Sequence, residues 1–181
     1  MMDIDFNYHL DKMSVIFDVG GYRGDVAAFL REKYGCGVHV FEPCRKWFSH
    51  ILKRFEKDPM IWPYNVALED RDSQGILYVT GDSPSLYKAA EAQETVRIRD
   101  IVKFAEAFKL SRIDLLKLNC EGSEYAILDR LWEKAWILKV RNIVIQFHHA
   151  EGRDRSLYES KLSVTHTVGH KCDYWQWWVL R

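Results

Sequence analysis

The sequence predicts an α/β fold: a mainly parallel sheet covered by helices on both faces. Apolar runs alternate with helical patterns along the chain, as strand–helix–strand units require. Those runs are apolar on both sides, the mark of strands buried in a parallel sheet. The first of them stops at a glycine turn and re-enters as a helix, in "VIFDVGGYRGDVAAFL" (15–30).

The elements follow in order. "SVIFDV" (14–19) is a buried strand, and 25–34 is the helix after its glycine turn. "GVHVFEP" (37–43) is a second strand, stopped by Pro43. In "CRKWFSHILKRFEK" (44–57), Trp47, Phe48, Ile51, Leu52 and Phe55 recur at helical spacing. "MIWPYNVAL" (60–68) gives a third strand, interrupted by Pro63. "QGILYVT" (74–80) and "ETVRIR" (94–99) are short extra strands, with loop chemistry in "GDSPSL" (81–86) between them. "DIVKFAEAFKL" (100–110) is a helix with Asp100 as its N-cap. A strand "RIDLLKLN" (112–119), a helix "EGSEYAILDRLWEKA" (121–135) and a strand "RNIVIQFHH" (141–149) come next. Residues 153–168 read mainly as helix, against the β-branched character of Val164 to Val168. "YWQWWVLR" (174–181) closes the chain as a strand. Trp175, Trp177 and Val179 point one way while Tyr174, Trp178 and Leu180 point the other, so it belongs inside the sheet with its rings in the core.

At 181 residues, 48% hydrophobic and 29% charged, the chain is expected to form one domain over 1–181. Its 26 basic and 26 acidic side chains cancel. A polyanion binder shows a basic excess or stripe, so no nucleic-acid partner is expected. No apolar stretch approaches the ~20 residues that span a bilayer, and the N-terminus does not read as a secretory signal. No membrane partner is expected either. Cys36, Cys44, Cys120 and Cys172 form no CxxC pair, which argues against zinc and against a disulfide framework. A reduced, cytoplasmic protein is the expectation. The sequence carries no oligomer signal.

Ligands of open α/β sheets bind beyond the carboxyl ends of the strands. Gly20, Gly21 and Gly24 permit a tight turn there and let a ligand lie against the backbone. They miss the G-x-G-x-x-G register, because Tyr22 stands where the second glycine belongs. A pyrophosphate thus loses its cradle. Glu42 ends the second strand eighteen residues past Gly24, a position suited to ribose hydroxyls. Asp18 and Glu42 together suit a ligand with hydroxyls and positive charge. S-adenosylmethionine has both and no phosphate.

"DVGGYRG", "VHVFEP", "NVALED" and "IDLLKLNCEGSEYAIL" resemble the FkbM-type methyltransferases, whose pattern runs D-V-G-A-N-x-G, F-E-P, N-x-A-L and K-I-D-x-E-G-A-E. The resemblance spans about 15–148 and is most specific in "LLKLNCEGSE". It implies a class I methyltransferase domain, a Rossmann-like three-layer sandwich with an antiparallel last strand inserted in the sheet. It implies S-adenosylmethionine as cofactor, with Asp18, Gly20, Gly21, Gly24 and Asn119 around its methionine part and methyl, Glu42 and Pro43 at the ribose, and Ala67 and Leu68 at the adenine. It implies O-methylation of a hydroxyl on a sugar or small metabolite. Ser85, Tyr87 and Glu124 would stand on the acceptor side. Glu121 and His148, both just after strands, are the candidate general bases. No metal is expected. Asn119 replaces the family's aspartate, and an amide is neither a base nor a good ligand for a hard cation. Gln146 stands for a frequent glutamate and Tyr22 for a small polar residue. Asn119 and Gln146 motivate one alternative, a cofactor-binding module without turnover. The strand–glycine–helix layout with Glu42 motivates another, a nicotinamide-dependent oxidoreductase, which the glycine spacing opposes.

Overall fold

The computed structural model describes residues 7–79, 86, 92–172 and 174–181. In chain order the elements are β1 (Val15–Val19), α1 (Asp25–Tyr34), β2 (Gly37–Phe41), α2 (Arg45–Arg54), β3 (Ile61–Tyr64), β4 (Ala67–Glu69), β5 (Ser73–Val79), β6 (Ala92–Asp100), α3 (Ile101–Ala107), β7 (Leu115–Leu118), α4 (Glu124–Glu133), a 3₁₀ turn (Trp136–Lys139), β8 (Asn142–Ile145), α5 (Arg155–Thr165), β9 (His166–Lys171) and β10 (Gln176–Leu180).

Seven strands form one sheet in the order β3-β2-β1-β7-β8-β10-β9. The first five are parallel to their neighbours; β10 is antiparallel to both β8 and β9. The last strand in sequence therefore lies inside the sheet, as its two-sided apolar pattern demands. Trp178 enters the core on one face and Trp177 packs against the core on the other. Each indole N–H finds an acceptor: Trp178 on the Gln176 side-chain oxygen, Trp177 on that of Asn142.

Helices cover both faces. α1 and α2 pack Ala27, Leu30 and Ile51 against Ile16, Val38, Val40 and Leu115. α3, α4 and α5 pack Val102, Leu128 and Leu162 against Phe17, Phe41, Leu116 and Ile143. Asp100 caps α3, accepting from the backbone N–H groups of Val102 and Lys103. Among the described residues no helix is long and apolar enough to cross a membrane.

Two elements differ from the sequence reading. The expected strand over 60–68 is two strands in two sheets: β3 edges the main sheet, and β4 joins a small sheet of order β4-β6-β5. The break is at Asn65, whose side-chain amide donates to the carbonyls of Glu42 (3.0 Å) and Pro43 (2.8 Å) and turns the chain. The helix expected over 153–168 ends at Thr165, and β9 continues from His166. Its β-branched residues pair with β10 instead of extending the helix.

Candidate active site

The turn after β1 builds the floor of the site. Gly20 and Gly24 have φ of 78°, and Tyr22 between them has φ 50°. A Cβ on Gly20 would lie 1.8 Å from the Asn119 carbonyl oxygen, one on Gly21 2.3 Å from Val40, and one on Gly24 2.6 Å from the Phe55 ring. The three glycines are therefore demanded by the protein's own packing. They let β1, β2, β7 and the end of α2 close around the turn, and Gly20 also lines the cavity above it.

Above this turn lies a cavity of about 320 Å³, within the usual range for small-molecule sites. Seven of the expected site residues line it: Gly20, Glu42, Pro43, Ala67, Leu68, Asn119 and Glu121. Ser123 of the α4 turn donates to the Glu69 carboxylate at 2.9 Å and so ties the small sheet to the main one. That tie keeps Ala67 and Leu68 at the wall. Leu77 of β5 and Leu86 add apolar surface. Sequence reasoning missed both. The signal for Leu77 was the apolar run in "QGILYVT".

Glu42 accepts from the backbone N–H groups of Tyr22 (2.7 Å) and Cys44 (2.9 Å). Burial pushes its pKa up to about 7, against the pull of those two amides. Tyr22, the least expected residue of the turn, packs its ring against Trp47 with centroids 4.4 Å apart. Arg23 and Lys46 lie over the Trp47 ring at 5.1 and 4.2 Å.

Asp18 is fully buried and does not line the cavity. It pairs with Lys117 at 2.9 Å, and the ammonium also donates to the carbonyls of Val19 (3.1 Å) and Gly20 (2.7 Å). Asp18 thus acts one layer below the site, by holding the turn through Lys117. Lys117 was legible as the one charge in "LLKL", opposite Asp18 in the adjoining strand.

Glu124 does not line the cavity either. Its side chain is 0% exposed. It accepts from the N–H groups of Cys120 (2.8 Å) and Gly122 (2.9 Å) and faces His148 Nδ1 at 2.8 Å. The other ring nitrogen of His148 lies 3.4 Å from Glu121 Oε1. Burial and the neighbouring Glu124 push the Cys120 thiol well up, so that wall residue is a neutral thiol. Ser85 and Tyr87 lie outside the described residues.

The wall carries two carboxylates and no lysine or arginine among the described residues. The two carboxylates can accept from ribose hydroxyls and attract a sulfonium, and the wall offers no cationic side chain to a pyrophosphate. The profile of the Methyltransferase FkbM domain matches residues 18–174. The chain belongs to the FkbM methyltransferase family. It is an S-adenosylmethionine-dependent methyltransferase by family and fold, and S-adenosylmethionine is its cofactor. Among the curated proteins compared, none matches the sequence.

Solved structures agree on the fold of this FkbM domain. An rRNA methylase from Streptococcus thermophilus is 10% identical at a TM-score of 0.54, over 94% of this chain and 89% of that one. A Clostridium thermocellum protein assigned as an rRNA methylase is 9% identical at 0.54, over 94% and 88%. The N-terminal domain of human METTL16, in complex with S-adenosylhomocysteine, is 11% identical at 0.50, over 93% of this chain. This chain spans 62% of that one. These neighbours overturn the exclusion of nucleic acid drawn from the neutral net charge. Proteins named for rRNA methylation share this fold, so a balanced charge total does not rule out such a partner.

Proposed function

We propose that this FkbM methyltransferase transfers a methyl group to a hydroxyl oxygen on a sugar or small metabolite. The observation that carries this reading is Glu121 on the cavity wall with His148 at 3.4 Å behind it. When bound, the cofactor supplies a methyl group made electrophilic by its sulfonium. In this reading Glu42 takes the ribose hydroxyls, Ala67 and Leu68 border the adenine, and the Gly20 turn and Asn119 flank the methionine end. The wall at Glu121 would hold the acceptor hydroxyl toward that methyl group. The hydroxyl proton passes to the Glu121–His148 pair. Alignment of the two reacting atoms contributes most, and proton removal adds about 10²–10⁴-fold. Asn119 takes no part in proton transfer.

An RNA acceptor is a second reading. The names of the fold neighbours favour it, as do Arg23 and Lys46 flanking Trp47 beside Tyr22 on the cavity wall. Methyl-labelled S-adenosylmethionine offered with a panel of hydroxyl compounds and with RNA separates the two. A labelled ether on a small hydroxyl compound, lost about a hundredfold in Glu121→Gln with unchanged S-adenosylhomocysteine affinity, is the expected result. Label in RNA alone would move the reading to the second. Cofactor binding with no transfer would leave the inactive module.

A further inference from the structure

We propose that Glu124 is a positioning residue that sets both members of the Glu121–His148 pair at once, a step that rests on the methyl-transfer reading above. Glu124 opens α4, yet its side chain turns back into the protein and is completely buried. Its two oxygens have separate tasks. Oε2 accepts from Gly122 N–H at 2.9 Å, and Oε1 accepts from Cys120 N–H at 2.8 Å. Those amides flank Glu121, whose φ of 55° is in the left-handed region that a residue with a Cβ rarely takes. The carboxylate therefore clamps the turn on both sides of its strained residue. That clamp presents the Glu121 side chain to the cavity wall.

The same Oε1 faces His148 Nδ1 at 2.8 Å. A carboxylate has no hydrogen to give, so Nδ1 carries the N–H of that bond. Burial would raise the pKa of Glu124, but His148 and the backbone amides hold it below the ordinary carboxylate value, which keeps it charged and accepting. With Nδ1 committed, Nε2 is the nitrogen turned to Glu121 Oε1 at 3.4 Å. Tyr125 O–H donates to the His148 carbonyl at 2.9 Å and fixes the backbone beneath the ring. His148 follows β8 and Glu121 follows β7. One buried carboxylate therefore registers two groups from different strands against each other. The arrangement follows the general rule that the partner of one imidazole nitrogen decides what the other can do.

The test combines spectroscopy with kinetics. In ¹⁵N-histidine-labelled wild-type protein, His148 Nδ1 is expected to carry the proton, read from its imidazole ¹⁵N shifts, with or without turnover. Glu124→Met is expected to lose that signature. It should also lower kcat roughly a hundredfold while leaving S-adenosylhomocysteine affinity within about threefold. His148→Asn leaves the turn clamped and should lower kcat similarly, and the double variant should be no slower than the worse single one, as for residues acting as a unit. A bare Nδ1 in the wild type, or wild-type kcat in a folded Glu124→Met, overturns the proposal. Absence of methyl transfer to every hydroxyl compound would instead defeat the reading beneath it, and the tautomer measurement would still decide the role of Glu124. If Glu124→Met does not fold, the wild-type shifts and His148→Asn decide.

Discussion

Glu42 is a carboxylate whose burial costs more than its two amide bonds return, which is why its pKa rises to about 7. Ribose hydroxyls donating to it would favour the charged form and pull that value down. Binding would then release a proton below about pH 7. Affinity for S-adenosylhomocysteine is therefore expected to rise with pH, by up to about tenfold per unit, and to level off above pH 7. Calorimetry across pH 5.5–8 checks this, and Glu42→Gln should flatten the curve while weakening binding. Lys117 is the complementary case, a buried cation that forms an ion pair with Asp18 and donates to two carbonyls. Lys117→Met strands a buried charge on Asp18 and should cost about 3–5 kcal/mol in urea unfolding. Adding Asp18→Val should recover part of that loss. The sequence marked Asp18 and Glu42 equally, because each is an acid at the end of an apolar strand. What separated them is direction: Asp18 sits in register with Val40 and Lys117 across three strands, and its carboxylate never emerges.

At the scale of elements, helices and central strands were legible because their apolar spacing is set by local chemistry. α1 falls on the residues that the pattern gave, and Asp100 caps α3 as its side chain suggests. The β3–β4 break and β9 were not legible. Each depends on partners distant in sequence, Asn65 on the exit of β2 and β9 on β10. The glycine turn was found, but its packing against β7 was not. The packing of Gly20 against Asn119 appears only when β1 and β7 are side by side. Gly20→Ala puts a Cβ into that carbonyl at a positive φ. It should therefore destabilise the fold by roughly 2–4 kcal/mol, read as a fall in thermal midpoint without any ligand. An unchanged midpoint with weakened cofactor binding would restore the ligand as the reason for that glycine.

For the whole molecule, the cavity is shared between two sheets. Glu42 and Asn119 follow strands of the large one, whereas Ala67, Leu68 and Leu77 belong to the small one. A ligand seated there contacts both and should stabilise them together. S-adenosylhomocysteine at about a hundred times its Kd should add roughly 2.7 kcal/mol to unfolding, in one cooperative transition, and NAD should add nothing. Separate transitions, with only one of them shifted, would mean that the small sheet takes no part in binding.

The position of β10 has a consequence for how the molecule is made. β8 and β9 are both hydrogen-bonded to a strand that comes after them in sequence. Until β10 arrives, β8 presents the open edge of an otherwise finished parallel sheet, and β9 has no strand to pair with. An open apolar edge is a template for the wrong partner, most dangerous during synthesis and refolding. The tryptophans of β10 then do more than fill a core: they are the closing piece, and the interval before they seat is when this chain is most exposed to aggregation.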